Sequence, residues 1–467
     1  MEKENKLIDD ICDGFNGKSK AAELCEKASR LYAEKNYADA AALWRTAAEE
    51  ENCAEALYYL GICYNYKLGV GGETEENCAV KAKEYFLRAA ELGHAEAQCF
   101  AALCYNYGIG VEKDTEKALY WFKKSAEQNC VQAMNNLGYF YEQGSGSEEE
   151  GDYEEALKWY KKSADLGNST GQLGVGKAYY YGYGTMRDYK EAVKWFTLAA
   201  EQGLADAQFR LGECYDDGDG VEENAEQAFV LYKQAAKQGH AKAQCYAGYC
   251  YEYGLGVREN MQEALNWYNE SAKNGYFQAY CNLGCCYERG DGVKKNMQTA
   301  IEMYKKGAEL GSTMAKYNLG NVYAFGKGVK VNNEIAVKYY TEAAENGLAE
   351  AQYNLGQHLY KGLGVKQDDE EAAYWFLQSA RQGDSDAQYK IGYFYMNGIG
   401  VDEDEQEAFN WFKKSALQGD CDSAYMVGVC YEEGMGVEED CDEAREWYER
   451  AVEYGSKEAK KAVKKLK

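Results

Sequence analysis

A spacing of 36 residues constrains this chain more than any other feature. Across residues 169–456, eight segments of that length follow one another without insertion or deletion. The segment 205–240, ADAQFRLGECYDDGDGVEENAEQAFVLYKQAAKQGH, and its successor from Ala241, AKAQCYAGYCYEYGLGVRENMQEALNWYNESAKNGY, carry the same pattern. Such a period marks a stack of short helical units, none of which can bury both of its apolar stripes without a neighbour on each side.

Each unit reads as two helices joined by a glycine turn. In 205–240, Ala207, Leu211, Gly212 and Tyr215 fall on one helical stripe. Gly218 and Gly220 stop that helix, and Val221 is placed to pin the turn to the core. Asn224 then opens the second helix, as Asp114, Asp152, Asp188, Asn260, Asn296, Asn332, Asp368, Asp404 and Asp440 do elsewhere. Three residues on stands Gln227, or Glu155, Glu191, Glu263, Glu371, Glu407 and Glu443, which predicts a reciprocal cap in which each side chain takes a backbone N–H. Ala228, Leu231, Tyr232 and Ala236 point inward, and Gly239 ends the helix. Small residues such as Ala207, Ala243, Gly212 and Gly248 let neighbouring helices approach, while Trp195, Trp267, Trp375, Trp411 and Trp447 are expected to fill the space between layers.

The phrase A-x-A-Q-x-x-L-G-x-x-Y-x-x-G-x-G-V followed by E-A-x-x-W-Y-x-x-A-A-x-x-G resembles the Sel-one-like repeat (SLR), a relative of the tetratricopeptide repeat. AEAQYNLGQHLYKGLGV from Ala349 and EALNWYNESAKNG from Glu263 are examples, and the resemblance covers most of the chain. It implies an all-α, right-handed superhelical solenoid of eleven repeats with helical caps. Relatives often carry Pro after the turn Val, where this chain has Glu112, Glu222, Arg258, Lys294 and Glu438. The chain has no proline at all, so its turns rely on Gly and Asn/Asp and are expected to be less rigid.

The organisation predicted is a flexible segment at 1–18 and a tetratricopeptide-like capping hairpin at 19–53, followed by eleven repeats across 54–456. The repeats are 54–94, 95–130, 131–168, 169–204, 205–240, 241–276, 277–312, 313–348, 349–384, 385–420 and 421–456, and a capping helix closes the chain at 457–467. Irregularity concentrates at the N-terminal end. Extra residues stand around 71–75, Lys67 takes a glycine's place, Ala102 replaces the usual helix glycine, and an acidic insertion occupies 146–152. Such insertions bulge from one edge of a solenoid; individuality and neutral drift both account for them.

Composition bounds the partner. A net charge of −26 and a pI near 4.7 argue against nucleic acid and anionic membrane, leave a basic or amphiphilic protein open, and also serve plain solubility. Seventeen cysteines suggest a disulfide framework until their registers are read. Cys63, Cys104, Cys214, Cys250, Cys286 and Cys430 share one place in the first helix, and Cys99, Cys245 and Cys281 another, as packing residues would. The odd total and the polar N-terminus favour a reducing cytosol, and no run of 18 apolar residues offers a membrane span.

The sequence points to no catalytic, cofactor or metal residue. His94 and His240 end second helices in different units, and His358 lacks a Cys or Ser partner at helical spacing. Cys285 and Cys286, with Cys281 one turn earlier, do not have C-x-x-C spacing. Asp216, Asp217, Asp219, Glu222 and Glu223 lack the order of a calcium loop, and the Gly-x-Gly turns lack the Lys-Ser/Thr of a phosphate cradle.

What remains is surface. In related solenoids the first helices line the concave face, which here displays Asn136, Asn282, Asn318 and Asn354 at the sixth place. Tyr66, Tyr107, Tyr181 and Tyr253 occupy the thirteenth place, with Phe325 equivalent to them. Asn can clamp the backbone of an extended peptide and Tyr gives rigid contact area; equally, the Asn ladder solvates a helix. The Lys/Asn set of a carboxylate clamp is missing. The expectation is therefore a non-catalytic scaffold for a protein or peptide partner, monomeric or oligomeric, with the resemblance implying assembly of signalling or quality-control complexes. Two alternatives follow from relatives: binding or hydrolysis of a β-lactam-like ligand, for which no nucleophile and base pair is visible, and a bacterial host-interaction or defence role.

Overall fold

The computed structural model describes residues 19–72, 74–144 and 151–465. The expected N-terminal segment 1–18 and the acidic stretch 146–150 lie outside the described residues. Twenty-five helices are described, and among the described residues there is no strand. In order they are α1 (Lys20–Ala33), α2 (Tyr37–Glu51), α3 (Ala54–Asn65), α4 (Glu75–Glu91), α5 (Ala95–Tyr107), α6 (Thr115–Glu127), α7 (Val131–Glu142), α8 (Tyr153–Asp165), α9 (Ser169–Tyr181), α10 (Tyr189–Glu201), α11 (Ala205–Asp217) and α12 (Ala225–Lys237). There follow α13 (Ala241–Tyr253), α14 (Met261–Lys273), α15 (Phe277–Arg289), α16 (Met297–Glu309), α17 (Thr313–Phe325), α18 (Asn333–Glu345), α19 (Ala349–Lys361), α20 (Asp369–Arg381), α21 (Ser385–Asn397), α22 (Glu405–Ala416), α23 (Cys421–Glu433), α24 (Cys441–Glu453) and α25 (Ala459–Lys465). Two compact units divide the chain, Met1–Ala235 and Ala236–Lys467, and within each the helices pack as consecutive hairpins.

The turn is built as the sequence predicts, with one correction. Gly218, Gly254 and Gly290 follow their first helices at φ of 74°, 70° and 91°, where a Cβ would be strained. Each Asn or Asp N-cap accepts from the backbone N–H three residues on; Asp114 from Lys117 at 2.9 Å and Asp404 from Glu407 at 2.9 Å are typical. The reverse half of the cap is different. The N-cap's own N–H is donated to a carbonyl of the preceding helix, Asp188 to Tyr179 at 2.9 Å and Asn260 to Tyr251 at 2.8 Å, instead of to the Glu or Gln side chain. Glu155 and Glu191 turn outward to Lys158 and Lys194. The Gly-x-Gly path folds the N-cap back onto the first helix, so the orphan donor is satisfied there.

The space beside the helix glycine is filled by an aromatic residue of the second helix, the one after the Trp wherever the repeat has that Trp. A Cβ on Gly248 would stand 2.7 Å from the Tyr268 ring, and one on Gly356 would stand 2.9 Å from the Phe376 ring. This ring is Phe in five repeats (Phe86, Phe122, Phe196, Phe376, Phe412) and Tyr in six (Tyr160, Tyr232, Tyr268, Tyr304, Tyr340, Tyr448), all buried. The Trp residues sit alongside, Trp411 and Trp447 buried and Trp195, Trp267 and Trp375 half-buried, so they fill less of the joint than their size suggests.

A buried Tyr hydroxyl needs an acceptor, and this chain supplies one in step. Where the ring is Tyr, the last turn of the first helix usually carries a carboxylate: Tyr160 donates to Glu142 at 2.9 Å, Tyr268 to Glu252 at 2.7 Å, Tyr304 to Glu288 at 2.8 Å and Tyr448 to Glu432 at 2.6 Å. Tyr232 donates to Asp216 at 3.2 Å. Tyr340, whose repeat has Ala324 there, uses Asn321 at 2.7 Å. Where the ring is Phe, that place holds Asn65, Asn106, Tyr180, Tyr360 or Met396, never an acid. A cation from the following hairpin often completes the joint, as Arg289 does on Glu252 at 2.7 Å and Lys327 on Glu288 at 2.7 Å.

Hairpins are tied to one another by a buried amide ladder. Gln244, Gln352 and Gln388 each donate to a carbonyl eight residues earlier, at 3.1 Å. Each also accepts from an amide 30 residues later, Asn274, Gln382 and Gln418, at 2.8 Å. At the N-terminal end α1 and α2 form a hairpin whose Trp44 stacks on Tyr59 at 4.6 Å. At the C-terminal end α25 buries Ala459, while Lys465 reaches Glu432 at 3.2 Å.

Candidate functional recognition face

The odd-numbered helices from α3 to α23 present their sixth, ninth and thirteenth residues on one side, since steps of three and four stay on one helical face. The thirteenth place is the open one. Tyr66, Tyr107, Tyr253 and Phe325 are 60%, 62%, 53% and 68% exposed. Tyr181 differs, being half-buried and accepting from Arg210 Nη1 at 2.9 Å.

The four Asn residues are half-buried and already tied to the stack. Asn136 Nδ2 donates to Cys99 Sγ at 3.5 Å, Asn282 to Cys245 at 3.4 Å and Asn318 to Cys281 at 3.5 Å. Asn354 donates to Asn321 Oδ1 at 3.4 Å. Each bond reaches back to the preceding repeat, so one amide N–H serves as a strut between hairpins; Asn282 Oδ1 also accepts from Gln278 Nε2, and Asn318 Nδ2 stands 3.8 Å from Cys285 Sγ.

Sequence reasoning missed the ninth place. Tyr139, Tyr249 and Tyr393 stand there, all exposed, and Tyr139 with Asn136 and Tyr249 with Asn282 line clefts. One cleft, of about 490 Å³, is walled by Tyr246, Tyr249, Tyr276 and Phe277 and floored by Cys245, Gln278 and Asn282. Gln278 Nε2 donates to Asn282 Oδ1 at 3.2 Å, and Lys242 sits 5.5 Å over the Tyr246 ring. In the other unit a cleft of about 360 Å³ gathers Asn135, Asn136, Tyr139, Tyr183 and Lys177, and Gly174 occupies the sixth place that Asn fills elsewhere. A smaller one joins Tyr107, Asn136 and Tyr139. Tyr107 is thus brought together with Asn136, whereas Tyr66, Tyr253 and Phe325 line none of these three clefts. The signal was present: three residues separate Asn136 from Tyr139, which puts both on one face.

The titratable groups have structural partners. His94 and His240 are helix N-caps that accept from Ala97 and Ala243 through Nδ1, and burial pushes His94 down. His358, pushed down by burial, pairs Nδ1 with the Leu363 carbonyl at 3.0 Å. The Cys281 thiol pulls Cys285 down to about 6. The single Tyr304 hydroxyl proton goes to Glu288 at 2.8 Å rather than to Cys285 Sγ at 3.4 Å, however, and Arg289 is paired with Glu252 and Asp291. Asp219, in the acidic turn, accepts from Tyr180 at 2.7 Å. Among the described residues, no group of three or more His, Cys, Asp or Glu is placed to hold a metal, and no helix is long and apolar enough to cross a membrane.

Comparison with known proteins places these features. The Sel1 repeat model matches at 54–94, 95–130, 131–168, 169–204, 205–240, 241–276, 277–312, 313–348, 349–384, 385–420 and 421–456, and a tetratricopeptide repeat model matches 25–67. The chain is similar to the crystal structure of a protective antigen of uropathogenic Escherichia coli displaying an SLR fold. That similarity amounts to 33% identity over 91% of this chain and 93% of that one, with a TM-score of 0.62. A Sel1 repeat protein from Oxalobacter formigenes is 29% identical over 67% of this chain and 91% of its own, with a TM-score of 0.50. No curated protein matches the chain.

Proposed function

The chain belongs to the Sel1 repeat family, and we propose that it is a non-catalytic adaptor that holds an extended segment of a protein partner against its first-helix face. A repeat solenoid of this kind is a fold typical of protein-interaction scaffolds. The observation that carries the reading is that a cleft in each unit pairs an exposed ninth-place Tyr with a sixth-place Asn: Tyr139 with Asn136 on the same helix α7, and Tyr249 on α13 with Asn282 on α15 of the next repeat. Tyr supplies rigid contact area at low entropic cost, and an Asn amide, with two N–H donors and an oxygen that can accept twice, keeps capacity to read a peptide backbone. With net charge −26, a neutral or basic segment is favoured, and nucleic acid and anionic membrane are not. Burial of Cys63, Cys214, Cys286 and Cys430 as packing thiols supports a reducing cytosol as its location. Assembly of signalling or quality-control complexes is the role that fits such an adaptor.

A random displayed peptide library panned on the full chain tests this. A selected peptide whose affinity falls at least about tenfold, roughly 1.4 kcal/mol, in Tyr249→Ala or Tyr139→Ala supports the reading. Peptides bound equally well by both variants overturn it. A second reading, a host-facing role, rests on the similarity to the uropathogenic antigen; antibodies raised to the folded chain that label intact cells would favour it over the cytosolic adaptor.

A further inference from the structure

Cys25 lies on α1, three residues before Ala28, and Cys53 is the residue immediately before α3. Their sulfurs are 3.8 Å apart across a sequence separation of 28. A disulfide needs about 2.05 Å, so the two sulfurs have less than about 2 Å to close. The placement recurs. Cys99 on α5 lies three residues before Ala102, and Cys130 is the residue immediately before α7, its thiol donating to Gln132 Oε1 at 3.4 Å. In the repeat between them the same two places carry Tyr58 and His94, stacked at 4.5 Å. This register therefore puts side chains in contact across the joint between one hairpin and the next, and at the N-terminal joint both are thiols.

We propose that Cys25 and Cys53 form an oxidisable latch that closes into a disulfide and fixes the α1–α2 hairpin onto the first Sel1 repeat. Hairpins of a solenoid are held by their immediate neighbours, and among the described residues the α1–α2 hairpin has one, the first Sel1 repeat. A covalent bond across that joint removes its freedom to part, which a bond inside one helix would not do.

The chemistry is ordinary exchange with a disulfide such as oxidised glutathione. Cys53 is half-exposed and Cys25 is 2% exposed, so Cys53 meets the reagent first. Its thiol loses a proton to water and the sulfur attacks one sulfur of glutathione disulfide. The S–S bond breaks and one glutathione leaves as thiolate, to be protonated. Cys25, its thiol pushed up to about 12 by burial and by Cys53, then gives up its proton as it attacks Cys53 Sγ and expels the second glutathione. Two thiols are oxidised and one glutathione disulfide is reduced to two thiols. In a reducing compartment the latch stands open.

The test uses the full chain in glutathione buffers of rising oxidised fraction, followed by alkylation, digestion and mass spectrometry. Cys441, which is exposed, reports in the same sample that the oxidant has acted. Tryptic cleavage leaves Cys53 and Cys63 on one peptide, so fragmentation must tell them apart. The expected result is a Cys25–Cys53 cross-link, with amide exchange across α1 and α2 slowed at least about tenfold when oxidised, restored by reductant and absent in Cys53→Ser. Recovery of Cys25 as free thiol while Cys441 is fully modified would overturn the proposal, as would a Cys53 that carries only glutathione.

Discussion

The repeats 241–276 and 349–384 share one backbone plan and solve it with different chemistry. Inside the first, Tyr268 is fully buried against Gly248 and its hydroxyl is held by Glu252, which Arg289 of the next hairpin also grips. Inside the second, Phe376 fills the same space against Gly356, and Tyr360 stands where the acid would be. Outside, the first offers exposed Tyr249 and Tyr253, while the second offers Asn354, Gln357 and Lys361, with Gln357 donating to Tyr353 at 2.9 Å. The hairpin requires a ring beside a glycine. It does not require that ring to be polar, provided the polar atom and its partner come or go together.

The largest effect should come from removing what the two repeats share. Gly248→Ala and Gly356→Ala drive a methyl into a buried ring, and each should destabilise its unit by about 1–3 kcal/mol in denaturant unfolding. Tyr268 is the closer ring, so Gly248→Ala should be the worse of the two. Next comes Glu252→Ala, which leaves the Tyr268 hydroxyl buried without its acceptor and Arg289 with Asp291 alone; a loss of about 2 kcal/mol is expected. Glu252→Gln, which keeps an acceptor, should cost less than half of that. Phe376→Tyr is the mirror-image experiment, adding a hydroxyl where no acid stands, and should cost about 1 kcal/mol; a neutral result would show that the pairing is incidental.

The smallest effect is on pH dependence, and it separates the two kinds of repeat. Burial opposes the charge of Glu288, but Lys327 and the Tyr304 hydroxyl outweigh it and hold its carboxyl below the ordinary Glu value of 4.5. Glu432 is held below it by Tyr448, against burial, with Lys465 assisting. A carboxylate depressed in the folded state adds stability that is present above its unfolded pKa and lost as pH falls through the folded one. Amide protection factors in α16 and α24 should therefore fall on acidification from pH 5 to pH 3 more than in α20, whose buried ring is Phe376. An equal fall in all three would show that these carboxylates are not what titrates.

The fold was legible because its signals are local. Asn and Asp caps and glycine stops act within a few residues, and all ten named caps accept the expected backbone N–H. What escaped lies farther apart in the chain. The return bond of the N-cap goes to a carbonyl that only the path of the glycine turn brings close. The ring that fills the glycine's place is 20 residues away, so Trp was credited with space that its neighbour occupies. The sixth-place Asn looked free because its thiol partner stands 37 residues back, as with Asn282 and Cys245. The ninth-place Tyr residues needed no structure to find, only extension of the sixth-place spacing by one turn.

The recognition face is the central claim, and calorimetric titration of a library-selected peptide into the wild-type chain and the Tyr249→Ala variant tests it most directly. Because Tyr249 is exposed, its loss should leave the unfolding transition within about 0.5 kcal/mol of wild type. The account predicts at least a tenfold rise in Kd at unchanged stability. An unchanged Kd for every selected peptide would contradict it and move recognition off the first helices.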